Sequence, residues 1–253
     1  MKEKNNRILN LILTTIPIVC ILLVWQIEAK KINNEFILTD VGVTFKALVE
    51  ILKQQEFYKS LWGTLSRTLI AFGVSFVMAT VLAFLSRISK KAEVMIVPVI
   101  SIIRSLPTIA IILLLYIWTD SSAKSAIIVT TLVVLPTTYS SMRDAFFTVD
   151  DELIKGLKLY KVPTHEMLLK VYFPQILPST LLAIGGGIAL NLKLMVAAEV
   201  IVSTANSLGY LLNTSKAYFD IASMIAVVVV SVAIGLIVES TFRFVSKKVG
   251  KWQ

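Results

Sequence analysis

Six stretches of this chain are long and apolar enough to cross a bilayer, and a chain with that many such runs has few folds open to it. Residues 8–27 carry no charge over about 20 positions, the length that spans hydrocarbon at helical rise. Five further segments follow at 61–86, 94–118, 125–142, 171–198 and 221–238. With 56% hydrophobic residues and a mean hydropathy of +0.80, the 253-residue chain reads as an all-α integral membrane protein with one transmembrane domain over residues 1–253. The first run follows Lys2, Lys4 and Arg7, as a signal peptide would, but Glu28-Ala29-Lys30 is a poor small-residue cleavage site. It is read as a retained first span.

Charge sets the orientation. The net charge of +9 suggests a nucleic-acid binder only if its placement is ignored. Fifteen of the 25 Lys and Arg lie in the termini and in the two loops that share a side with them. The short outer connections hold only Lys124 and Lys216. The positive-inside bias therefore puts both termini in the cytosol. Between the first two spans, Phe45, Leu48, Val49, Ile51 and Leu52 recur near helical spacing, which predicts an amphipathic helix along the outer interface.

No covalent chemistry is encoded. His165 is the only histidine, and no paired Cys or His stands at metal-ligand spacing. There is no Gly-x-Ser-x-Gly elbow and no G-x-x-x-x-G-K-[ST] loop. Asp150, Asp151 and Glu152 read as the acidic first turn of a helix rather than a cation site. Cys20 has no partner and is read as a packing residue.

The most informative polar stretch is DDELIKGLKLYKVPTHEMLLK, residues 150–170, on the cytosolic side. It predicts two short helices joined by a turn. Leu153, Ile154, Leu157 and Tyr160 share one face, Met167, Leu168 and Val171 another, and Pro163 suits the first turn of the second helix. Such a hairpin presents an apolar knob to a partner's groove or packs against its own bundle; the residues alone allow both.

Around this loop stand Arg104-Ser105-Leu106-Pro107, Leu135-Pro136, VYFPQILP at 171–178, Ala198-Glu199 and Ser207-Leu208-Gly209-Tyr210-Leu211. On these residues, over 39–239, the chain resembles the permease subunits of bacterial ABC importers, the inner-membrane component family of binding-protein-dependent transport. Within it the nitrate, sulfonate and taurine branch is the most similar. The resemblance implies a type I importer permease fold of six transmembrane helices, with a cytosolic coupling hairpin at 150–170. It implies two cytosolic ABC ATPases that hold the ATP and Mg, a second permease subunit (identical or not) and an extracytoplasmic solute-binding protein. It implies neither cofactor nor enzymatic activity in this chain, a bacterial plasma-membrane location, and no nucleic-acid partner. The cargo would be a sulfonate-, nitrate- or taurine-like anion or a heterocycle of the thiamine-precursor type. The family's Glu-Ala-Ala…Gly motif, registered on Phe173-Pro174, falls on Lys155-Gly156-Leu157 and Lys161, so its signature residues are replaced while its spacing stays. By the same register Tyr160, Pro163, His165, Met167 and Leu168 belong to the ATPase-coupling surface.

Charges and breaks inside the spans mark a candidate pathway: Arg104, Pro107, Gly186, Lys193 and Glu199. Cations lining a route favour an anionic or electron-rich solute. The plainer alternatives are that Arg104 bonds carbonyls freed by Pro107, Lys193 snorkels outward, and Glu199 pairs with a cation. Gly185-Gly186-Gly187 permits a kink or close helix approach. The alternative outside this family is a secondary transporter driven by an ion gradient, which calls for paired midplane charges and an internal repeat that the chain does not clearly carry.

Overall fold

Helix starts are written in short polar caps. In the computed structural model, Asp40 accepts from the Val43 N–H at 3.0 Å, Ser89 from Ala92 at 3.3 Å and Ser121 from Lys124 at 3.5 Å, each satisfying a first-turn donor. The structure describes residues 2–250, with the backbone alone at 2–12, 14, 18, 151 and 158. Its helices are α1 (Lys2–Ile32), α2 (Val41–Ile51), α3 (Gln55–Ile88), α4 (Lys90–Ser105), α5 (Thr108–Thr119), α6 (Ser122–Phe147), α7 (Asp151–Leu159), α8 (Thr164–Met167), α9 (Phe173–Ile201), α10 (Leu208–Ala217) and α11 (Ile221–Val249). A π-helical turn, Leu168–Tyr172, splices α8 to α9. No strand occurs among the described residues.

Four helical segments have the length and apolarity to cross a membrane: Gln55–Ile88, Ser122–Phe147, Thr164–Ile201 and Ile221–Val249. A fifth is the pair α4 and α5, bent by 90° at their junction. The expected first span at 8–27 falls within α1, where several side chains lie outside the described residues, as do those of Lys2, Lys4 and Arg7 and the whole of Lys251. The single span expected over 94–118 is two helices, because Pro107 has no N–H to continue α4 and Leu106 before it is extended (φ −68°, ψ 133°). The stretch between the expected spans 171–198 and 221–238 contains a helix of its own, α10.

The chain divides into two compact units. Met1–Tyr58 with Leu211–Val229 form one. There Trp25 Nε1 donates to the Thr39 carbonyl at 2.9 Å, and the Gln26 side chain accepts from the Val41 N–H at 3.0 Å, fixing α1 to the start of α2. In α2, Ile51 and Thr44 are buried while Phe45, Val49 and Leu52 are exposed, a stripe that suits the interface helix expected there.

Lys59–Tyr210 with Val230–Gln253 form the second unit. Its centre is α6, which packs chiefly against α9 and α5. One cluster joins Ala71, Ile112, Ala126, Val129, Met195, Ala198 and Val202; a second joins Ala79, Ala83, Ile100, Leu135, Tyr139, Met142 and Phe146. The alanines are part of the reason the helices approach: with no hydrophobic drive between helices in lipid, small side chains let backbones come close. Two glycines do the same. A β-carbon on Gly187 would overlap the Phe72 ring, and one on Gly185 would lie 2.5 Å from Phe242 Cβ. Helix α9 runs unbroken through all three glycines.

Candidate functional site

The hairpin forms as its sequence directs, with a sharper division of labour than its pattern shows. Helix α7 ends in a Schellman turn: the Val162 N–H donates to the Leu157 carbonyl at 3.1 Å, and Lys161 takes the left-handed conformation at φ 53°. Glycine is the ordinary occupant of that position, and Lys161 holds it without glycine's freedom. The backbone need marked by the family register is therefore still present, met by a residue poorly suited to it.

Ile154 and Met167 are buried, Met167 to 6%, beside Phe84, Phe146, Tyr172 and Ile176. They anchor the hairpin to its own bundle. Tyr160 is 84% exposed and its neighbour Leu159 83%, and Leu168 is also bare. Lys155 and His165 are exposed, whereas Gly156 and Leu157 are half-buried. The predicted face of Leu153, Ile154, Leu157 and Tyr160 is thus split, since only Ile154 is fully buried. Pro163 is exposed at the N-cap of α8, one position before the first turn, because its ψ of 140° is extended. Leu159, which no sequence pattern singled out, forms the apolar tip with Tyr160.

One ion pair, Glu93 with Arg143, binds α4 to α6. Glu93 is buried and accepts from Arg143 and from Lys90 Nζ, the latter at 2.7 Å. Arg87 and Arg143 both lie against the Phe147 ring, 5.3 and 4.7 Å from its centroid. Such cation–π contacts strengthen where water is excluded.

Arg104 stands near the end of α4, just before the 90° break. Its Nη2 donates to Ser140 Oγ at 2.7 Å and to the Pro136 carbonyl at 3.2 Å, both on α6. The alternative in which it bonds carbonyls freed by Pro107 does not hold: its partners lie across the helix interface. Pro107 caps α5 with no side-chain bond. A cavity of about 470 Å³ runs along α4 and α6 from Glu93 and Arg143 to Arg104.

The other pathway candidates do not gather there. Gly186 is exposed, with open space around it; the close approaches belong to Gly185 and Gly187. Lys193 is exposed with no bonded partner among the described residues. Glu199 is fully buried, accepting from Thr64 Oγ1 at 2.7 Å and Arg67 Nε at 2.8 Å. Arg67 also donates to the Asn206 carbonyl at 2.9 Å, and Thr64 Oγ1 accepts from the Leu208 N–H at 2.9 Å. Gly209 leaves the room this needs, since a β-carbon there would fall 2.5 Å from Glu199 Cβ. The Glu199 carboxylate thus ties α3 and α9 to the Ser207–Gly209 turn. Its reading as a paired charge holds.

A broken span, a long central helix and a helical hairpin between spans carry the resemblance noted above, and the family comparison decides it. The model of the binding-protein-dependent transport system inner membrane component family matches residues 71–251. The chain belongs to that family. It is 22% identical over 213 residues to the putative aliphatic sulfonates transport permease protein SsuC of Bacillus subtilis, covering 84% of this chain and 76% of the relative. It is 20% identical over 233 residues to the taurine transport system permease protein TauC of Escherichia coli, covering 90% and 84%. Among solved structures, an inward-facing MetNI methionine ABC transporter matches with TM-score 0.66 at 17% identity, over 76% of this chain and 95% of that one. An amino acid ABC transporter solved with histidines matches with TM-score 0.66 at 16% identity, over 79% and 97%. The fold is that of type I importer permeases, and the chain is a multi-pass permease subunit of an ABC importer. The ion-gradient reading falls away.

Proposed function

We propose that this permease forms half of a translocation pathway, paired with a second permease subunit, and that the pair receives two cytosolic ATPases, one of them on this chain's 150–170 hairpin. Both termini and the hairpin face the cytosol, and an extracytoplasmic binding protein delivers solute to the outer end. ATP and Mg belong to the ATPases. Closure of the ATPases draws the hairpins together, and the bundle passes from inward-open to outward-open, a switch between packed two-state arrangements. The relatives' substrates favour a small organic anion as cargo.

The observation that supports this reading is the split of the hairpin: Ile154 and Met167 fasten it to the bundle, while Leu159 and Tyr160 stand bare at its tip. An exposed apolar pair on an anchored helix turn suits a groove in a partner. Lys155 and Lys161, exposed beside it, suit a groove with an acidic rim.

The test is capture of the ATPase from native membranes by the tagged chain. Leu159→Asp with Tyr160→Asp is expected to abolish co-purification while leaving membrane insertion and thermal stability unchanged. Met167→Asp, which buries a charge, is expected to lower stability as well. Undiminished capture by the double tip variant would remove the hairpin from the coupling role.

A further inference from the structure

We infer that the cavity between α4 and α6 is the seat for an organic anion with one oxyanion head and a short apolar body, with Arg104 holding the head. The inference rests on the importer reading and adds to it the chemistry and the residues of the site. The cavity's 470 Å³ lies within the usual range for small-molecule pockets.

Its donors are almost all spent. Tyr139 Oη is paired with Ser86 at 2.8 Å, Ser101 Oγ donates to the Val97 carbonyl at 2.9 Å, Ser140 Oγ donates to the Pro136 carbonyl at 3.0 Å, and Arg143 is held by Glu93. Arg104 differs. Both of its bonds leave from Nη2 and end on neutral oxygens, so Nε and Nη1 keep their N–H groups, and no carboxylate among the described residues balances its charge. Arg104 is exposed on the cavity side of α4, so its open donors and its charge are free to meet an anionic solute. With Nη2 engaged, Nη1 is left to donate a charge-assisted hydrogen bond to an oxyanion oxygen, and the guanidinium charge holds the head there.

The walls define the rest of the ligand. Val94, Val97, Pro98 and Ile100 line the cavity along α4, between Arg104 and the closed Glu93–Arg143 pair. From Glu93 to Arg104 the helix rises on the order of 16 Å, enough for a short alkyl tail beyond the head. A bare inorganic anion such as nitrate would leave those walls unused.

The experiment is isothermal titration of the transporter, purified from native membranes in lipid nanodiscs with its co-purifying subunits. Butane-1-sulfonate is the probe, butane-1-sulfonamide its neutral counterpart, and nitrate the tail-less anion. Wild type is expected to bind butane-1-sulfonate at least tenfold more tightly than either comparison compound. Arg104→Gln is expected to weaken it at least tenfold. Val97→Phe, which narrows the cavity from α4 and leaves Arg104 and its bonds intact, is expected to do the same. Undiminished binding in both variants, tighter binding of nitrate or the sulfonamide, or no sulfonate binding by the wild-type complex would overturn the seat. An ATPase that still co-purifies in those cases leaves the importer reading standing; its absence would strike at that reading instead.

Discussion

At the Ile201 end of α9, a carboxylate with no exposure is shared between Thr64, Arg67 and the Gly209 turn, and two glycines are consumed in letting the backbone close around it: Gly63 stands against Asn206 and Gly209 against Glu199. At the Thr164 end of the run that the π turn joins to α9, Leu159 and Tyr160 are bare and Lys161 is held at positive φ. The first arrangement satisfies its charges inside one chain. The second leaves apolar surface exposed and backbone strain unrelieved within this chain, as the proposed docking role requires.

This contrast can be broken most directly at Glu199. Replacing it by Ala leaves the Arg67 guanidinium nearly buried without its partner, and breaking such a pair costs about 3–5 kcal/mol. A large fall in thermal unfolding temperature is expected in detergent, with Arg67→Ala falling similarly. A loss below about 1 kcal/mol would mean the network is solvated and the two ends are not so different.

Next in size is the glycine run. Gly187→Leu drives a side chain into Phe72 and is expected to cost about 1–3 kcal/mol as overpacking. Gly186→Ala meets open space and is expected to gain up to about 1 kcal/mol in helix propensity. Equal effects at both positions would show that the backbone, not the close approach to Phe72, decides what is tolerated there.

The smallest effect is at the hairpin. Lys161→Gly relieves a left-handed residue and is expected to raise stability by about 1 kcal/mol. Weaker ATPase capture by this more stable variant would mark the Lys161 side chain as a docking contact, so stability and capture are to be measured on the same preparations.

The long spans were legible because apolar runs of bilayer length admit one backbone solution. The turn at Lys161 was legible only through the family register, since nothing in a lysine asks for positive φ. The break after Ser105 was signalled by Pro107, but its angle is set by packing on α6. Leu159 was hidden because exposure at a turn depends on where α7 ends, and Met167 looked like part of a docking face although it packs inward. The Arg67–Glu199 pair joins residues 132 positions apart, a separation over which no local periodicity speaks. Helix α10 was missed because its LNTSKA half is polar.

The π turn at Leu168–Tyr172 carries a consequence for force. Because it continues the hydrogen-bonded path instead of interrupting it, Thr164–Ile201 is one helical run of 38 residues, on the order of 57 Å at α-helical rise. A loop at that joint would absorb a push as slack. Under the proposed coupling, the spliced rod would turn the same push into tilt about its Glu199 end, where Thr64 and Arg67 hold it.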